Sequence, residues 1–171
     1  MSEQRTAGML TDKVYTLEKA VELRRKLEQE KKLLVFTNGC FDLIHPGHLL
    51  LLMKAKEMGD FLLVAMNSDS SIRRIKGRER PIMPEDARLM LLCCLDMVDG
   101  VIVFDDDKPT KLIKELKPDI YVKGAGWQPH MIPEAQLVME YGGRFVHMES
   151  LAPYSTTEII RKIRSLPADF L

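Results

Sequence analysis

His45-Pro46-Gly47-His48 is the segment of this 171-residue chain best equipped for chemistry. Its two histidines stand three positions apart, so at the start of a helix they share one face. Two imidazoles placed that way can donate hydrogen bonds to a phosphate whose charge grows during a reaction. Pro46 suits the first position of a helix, and Gly39 and Gly47 let a ligand approach the backbone closely. Thr37–His48 as a whole leaves an apolar run and opens a helical one. A helix start offers unpaired N–H groups and a partial positive charge, both suited to an anion. Two other readings stay open. His45 could be a helix cap and His48 a surface residue. Asp42, His45 and His48 could also begin a metal shell, although no further Cys, His or Glu lies nearby to complete it.

Three more segments carry candidate chemistry. Arg73-Arg74-Ile75-Lys76-Gly77-Arg78-Glu79-Arg80 is dense in cations, and Pro81 stiffens its exit. Ser155-Thr156-Thr157-Glu158 spells a capping box, with Ser155 as N-cap and Glu158 at the third helical position. Val122-Lys123-Gly124-Ala125-Gly126-Trp127 holds a Gly-x-Gly, by itself a weak signal. Asp105-Asp106-Asp107 reads as a solvated acidic loop and receives no role.

These segments need elements to hold them, and the chain supplies an alternation. A helix runs from about Thr16, its N-cap, to Lys31-Lys32. Apolar runs at 33–37, 61–66, 101–104, 119–122 and 144–147 read as buried strands. Helices are expected at 46–58, 84–95, 109–116, 133–141 and about 156–165. Buried strands alternating with helices predict an α/β fold: a Rossmann-like, doubly wound, five-stranded parallel sheet. Residues 1–12 read as a loose leader and 13–171 as a single domain. Ligands in such folds bind beyond the carboxyl ends of the strands, where the strand order reverses. The histidine turn, the basic stretch, 123–132 and 148–157 all fall at that edge.

Composition narrows the partners. The formal net charge is zero and aromatic residues make up 6% of the chain, so nothing draws nucleic acid to it. No apolar run approaches the roughly 20 residues that span a bilayer, and the N-terminus lacks the order of a signal peptide. Cys40, Cys93 and Cys94 form no CxxC pair, which predicts a reducing cytoplasm and no structural metal site. No Gly-x-Gly-x-x-Gly follows the first strand, which argues against a dinucleotide-dependent oxidoreductase.

Thr37-Asn38-Gly39-Cys40-Phe41-Asp42 followed by His-x-Gly-His resembles the cytidylyltransferase-like nucleotidyltransferases. Within them the likeness is greatest to the adenylyltransferases of ADP-heptose synthesis. It extends from about Lys13 through Asn67-Ser68-Asp69, Arg74–Gly77, Arg80-Pro81, Val122–Gly124 and Ser155–Arg161. The resemblance implies transfer of AMP from ATP to a heptose 1-phosphate with release of pyrophosphate, Mg²⁺ accompanying the triphosphate, and a homodimer. It implies catalytic roles for His45, His48 and Lys76. Nucleotide contacts would come from Thr37, Asn38, Gly39, Cys40, Phe41, Gly47, Arg88, Lys123, Gly124, Trp127, Ser155, Thr156 and Thr157. Asp42 and Asn67 would meet the sugar phosphate. Arg88 has a plainer alternative as an i,i+3 partner of Glu85. Trp127 could stack on a ring or close the edge of the core. The pattern departs at Gly126, where the family carries Asp. A CTP-dependent enzyme acting on a polyol or other small phosphate is the alternative. A non-catalytic nucleotide-binding regulator is the alternative from another class.

Overall fold

A computed structural model describes residues 12–124, 132–149 and 154–167. Chain order is β1 (Val14–Tyr15), α1 (Leu17–Gln29), β2 (Leu34–Gly39), α2 (Pro46–Lys56), β3 (Phe61–Asn67), α3 (Asp69–Lys76), α4 (Glu85–Cys93), β4 (Gly100–Phe104), α5 (Thr110–Leu116), β5 (Ile120–Lys123), α6 (Pro133–Glu140), β6 (Arg144–His147) and α7 (Thr156–Arg164). The strands form one wholly parallel sheet in the order β1-β4-β3-β2-β5-β6.

Strand side chains alternate between faces, so runs that are apolar throughout need cover on both. Phe36, Leu63, Ala65 and Tyr121 pack against Ala20 and Leu27 of α1, Leu112 and Ile113 of α5, and Ala135 and Val138 of α6. Val35, Leu62, Val64 and Val122 pack on the opposite face against Leu52 and Ala55 of α2 and Leu92 of α4. Helix starts follow the expected chemistry. Thr16 Oγ1 accepts from Lys19 N at 3.3 Å, and Ser155 Oγ accepts from Glu158 N at 3.1 Å.

Two elements lie beyond the sequence expectations. The sheet has six strands rather than five, because Val14 and Tyr15 pair with Val101 and Ile102. A two-residue strand is too short to show a period of its own. Gly100 makes room for it: a Cβ there would sit 2.7 Å from the Tyr15 ring. The second is α3, which occupies a stretch expected to be loop. Its sequence is mostly polar, and it is held at its N-terminal end. Ser68 Oγ accepts from Ser71 N at 3.0 Å, and Glu85 accepts from Asp69 N at 3.1 Å.

Carboxylates clamp the N-terminal edge of the sheet. Asp119 accepts both Nη groups of Arg24, at 2.6 and 3.0 Å, and Leu34 N at 2.8 Å. Asp99 accepts Lys56 Nζ and Leu62 N, both at 2.7 Å. Asp60 accepts Leu33 N at 2.8 Å. At the opposite edge the chain leaves β2 towards β3 on one side, while β5 lies on the other. That divergence opens the crevice where α/β folds bind ligands. No helix among the described residues is long and apolar enough to cross a membrane.

Candidate active site

The turn after β2 begins with a costly backbone choice. Phe41 adopts φ 46, a left-handed conformation that bulky residues rarely hold. Packing supports it. The side chain is buried, and its ring centroid lies 5.3 Å from that of His48. A Cβ at Gly39 would press on the same ring at 3.2 Å. The chain then enters α2 with His45 in the N-cap position and Pro46 in the first turn.

His45 makes no capping bond with its side chain. Its imidazole instead stacks on His48, with centroids 3.8 Å apart and planes 28° apart. Gly47 is the condition for this, since a Cβ there would lie 3.0 Å from His45 Cε1. Desolvation lowers the pKa of both rings, and the neighbouring His45 helps take His48 down to about 4. Both are therefore neutral at pH 7. Among the described residues, Nδ1 of each ring is buried without a hydrogen-bond partner. A buried bare lone pair costs less than an orphaned N–H, which assigns the proton of each ring to Nε2.

The start of α7 adjoins this turn. Thr156 Oγ1 donates to Leu43 O at 3.3 Å, and the carbonyl of Tyr154 lies 3.6 Å from a Cβ built on Gly47. Two helix N-termini, α2 and α7, thus meet at the histidines. Their orphan N–H groups and dipoles favour an anion there.

A cavity of about 560 Å³ runs from His48 across the top of the sheet. Asn38, Gly39, Cys40, Phe41, Asn67, Lys76, Lys123 and Gly124, all expected at the site, line it. Asn67 is fixed by its Nδ2 donating to Ser71 Oγ at 2.9 Å. Lys123 Nζ donates to Asn38 Oδ1 at 2.7 Å, and desolvation lowers its pKa to about 8. Burial raises the Cys40 thiol, which makes it a wall and not a nucleophile. Thr37 is buried, its hydroxyl without a partner among the described residues, and it does not line the cavity.

The structure corrects the expectation for two residues. Arg88 is 0% exposed and pairs with neither Glu85 nor the cavity. Its Nε donates to Met83 O, its Nη1 to Cys40 O and Asn67 O, and its Nη2 to Asp69 Oδ1 at 2.7 Å. It ties the ends of β2 and β3 to α4. Asp42 is 1% exposed, and its oxygens accept from Arg80 Nε at 2.7 Å, Ile82 N at 2.9 Å and Met83 N at 2.8 Å. It anchors segment 80–83 instead of facing a sugar. Among the described residues no group of three or more His, Cys, Asp or Glu side chains is placed to hold a metal.

The acidic loop is not merely solvated. Asp105 accepts from Ser68 and Ser70, and Arg74 bonds Asp105 O and Asp107 Oδ1. The basic stretch is thus largely neutralised by the chain, with Lys76 reaching the cavity. The cavity also holds residues to which the sequence assigned no role: Tyr121, Asp107, Lys108 and Glu134. Trp127 and Gly126 lie outside the described residues.

Comparison with known proteins agrees with this fold. Residues 36–162 match the cytidylyltransferase-like family. The bifunctional protein HldE of Geotalea uraniireducens is 44% identical over 90% of this chain, which covers 31% of that protein. HldE of Helicobacter pylori HPAG1 is 47% identical over 89% of this chain and 31% of its own length. The chain therefore spans about a third of these relatives. A lipopolysaccharide core biosynthesis protein from Thermoplasma volcanium superposes with a TM-score of 0.59 at 28% identity, covering 72% of this chain and 99% of that one. Pantoate–β-alanine ligase from Francisella tularensis, 16% identical, shares the fold, with a TM-score of 0.61 over 90% of this chain and 78% of that one.

Proposed function

The chain belongs to the cytidylyltransferase-like family of nucleotidyltransferases, and from that premise we propose that it transfers AMP from ATP to a heptose 1-phosphate, releasing pyrophosphate and forming ADP-heptose. The stacked pair His45–His48, set between the starts of α2 and α7, is the observation that carries the reading. The choice of acceptor is supported by the likeness to ADP-heptose adenylyltransferases and by similarity to proteins named HldE.

An oxygen of the acceptor phosphate forms a bond to the α-phosphorus of ATP. The bond from that phosphorus to the bridging oxygen breaks, and pyrophosphate leaves with the electron pair. The attacking oxygen is already anionic, so no strong base is needed; alignment and charge stabilisation supply the catalysis. His45 and His48 donate from Nε2–H to the α- and β-phosphate oxygens. Their low proton affinity keeps them hydrogen-bond donors that carry no charge before ATP arrives. Lys76 stabilises the departing pyrophosphate as a mobile point charge. Ser155 and Thr157 offer hydroxyls, and Thr156 and Thr157 offer N–H groups, to the triphosphate, the Thr156 hydroxyl being bonded to Leu43 O. Asp42, the carboxylate nearest the histidines in sequence, is taken up by the chain and would not hold a metal; a Mg²⁺ ion brought by the triphosphate would offset its charge.

Pyrophosphate release tests this. ATP, CTP, GTP and UTP are each combined with heptose 1-phosphate, mannose 1-phosphate and glycerol 3-phosphate. Release with ATP and the heptose, with ADP-heptose identified by mass, is expected. Release with CTP alone would replace the nucleotide, and release with none would point to a regulator.

A further inference from the structure

Glu134 is 5% exposed, carries a carboxylate, and lines the cavity. Such a group is rarely left in a wall without a task, because burying a carboxylate is costly unless it is bonded. Thr110 Oγ1 donates to its Oε1 at 2.7 Å. Oε2 receives no hydrogen bond from the described residues. Thr110 thus holds one oxygen, and the Lys123 ammonium, close enough to feel the charge, offsets the cost of burying the carboxylate.

Its position decides what it can meet. The histidines and the start of α7 lie where α2 packs, on the face of the sheet carrying Val35 and Val122. Glu134 and Thr110 open α6 and α5, which pack on the opposite face, around Phe36 and Tyr121. The cavity joins the two over the ends of β2 and β5. The triphosphate belongs to the helix starts of the first face, and Glu134 lines the same cavity from the opposite one.

Its neighbours suit a sugar phosphate. Tyr121 Oη and Lys123 Nζ both donate to Asn38 Oδ1, at 2.8 and 2.7 Å. That fixes the Asn38 amide and leaves its Nδ2 as a donor. Asn67 uses Nδ2 on Ser71, so its Oδ1 remains an acceptor. Lys76 and Lys108 add positive charge to the cavity wall. Sugar hydroxyls both donate and accept, and a carboxylate beside amides satisfies both roles.

We propose that Glu134, positioned by Thr110, selects the acceptor by accepting hydrogen bonds from its sugar hydroxyls. The assignment rests on the sugar-phosphate transferase reading above and adds the residue that discriminates among acceptors.

Steady-state pyrophosphate release by the full chain and by Glu134→Gln, Glu134→Ala and Thr110→Val tests it, with ATP and heptose 1-phosphate varied separately. Glu134→Gln keeps the shape of the site if the alanine variant folds poorly. Loss of a bond to a charged group should raise KM for the heptose phosphate roughly 10- to 100-fold. KM for ATP should stay within about twofold, a split that general loss of structure would not give. Thr110→Val should move the same constant less. A rise confined to the ATP constant would overturn the assignment and give Glu134 to the nucleobase. No change in either would make it a wall residue. Wild-type protein that turns over no sugar phosphate would overturn the function and this assignment together; turnover with an unmoved acceptor KM overturns the assignment alone.

Discussion

The two edges of the sheet handle their polar groups in opposite ways. At the N-terminal edge, Asp119, Asp99 and Asp60 bind strand N–H groups and cations of the same chain. At the C-terminal edge, polar atoms are left waiting. Of the five buried side-chain atoms without partners among the described residues, Thr37 Oγ1, His45 Nδ1, His48 Nδ1 and His147 Nε2 lie towards that edge, and only Arg24 Nε lies at the other. One edge is bonded through its carboxylates, and the other leaves buried polar atoms unbonded among the described residues. Arg88 and Asp42 are instructive exceptions, since they sit under the functional edge yet serve the fold.

The contrast can be broken by substitution. Arg88→Met should cost most, about 3–5 kcal/mol of stability, because it strands Asp69 and three carbonyls. Denaturant unfolding reads this directly; a loss below 1 kcal/mol would return Arg88 to a ligand-facing role. His48→Ala should do the reverse, lowering kcat about 10²- to 10³-fold while the melting temperature holds. Unchanged pyrophosphate release would remove the histidine from the chemistry.

Acid should expose the same edge. His48 has its pKa lowered from 6.5 to about 4, so between those values the unfolded chain binds more protons than the folded one. Stability from this residue is full above pH 6.5 and falls as pH drops towards 4, by roughly 3 kcal/mol. A His48→Gln variant should lose that part of the pH dependence in unfolding titrations. At the other edge, Asp119→Asn should cost about 1.5–3 kcal/mol of stability with kcat unaltered. Smallest is Gly47→Ala: its Cβ pushes the His45 ring, and turnover should fall about tenfold with stability changed by under about 1 kcal/mol.

What the sequence could disclose followed from distance along the chain. The histidine turn is local: strand, turn, Pro and Gly all lie within residues 34–48, so its place at the ligand edge was legible. The five longer strands and most helices were legible for the same reason, each carrying its own apolar pattern. α3 was not, because only Ile72 and Ile75 are apolar in it. Its Ser68 cap, early Asp69 and closing Gly77 were the available signals. Glu134 was invisible for a different reason. It meets the cavity only because the strand order sets β5 beside β2, bringing α6 over the strand ends. Likewise nothing in Asp42 or Arg88 reveals that they have partners as far as 41 and 48 positions away.

Separate helices cover the two faces of the sheet, and this has an evolutionary consequence. The helix starts that would grip the triphosphate belong to one face, and Glu134 belongs to the other. A mutation in the first turn of α6 can therefore retarget the cargo without retuning the transfer machinery, and the histidine turn can stay constant while gene duplicates diverge in what they activate.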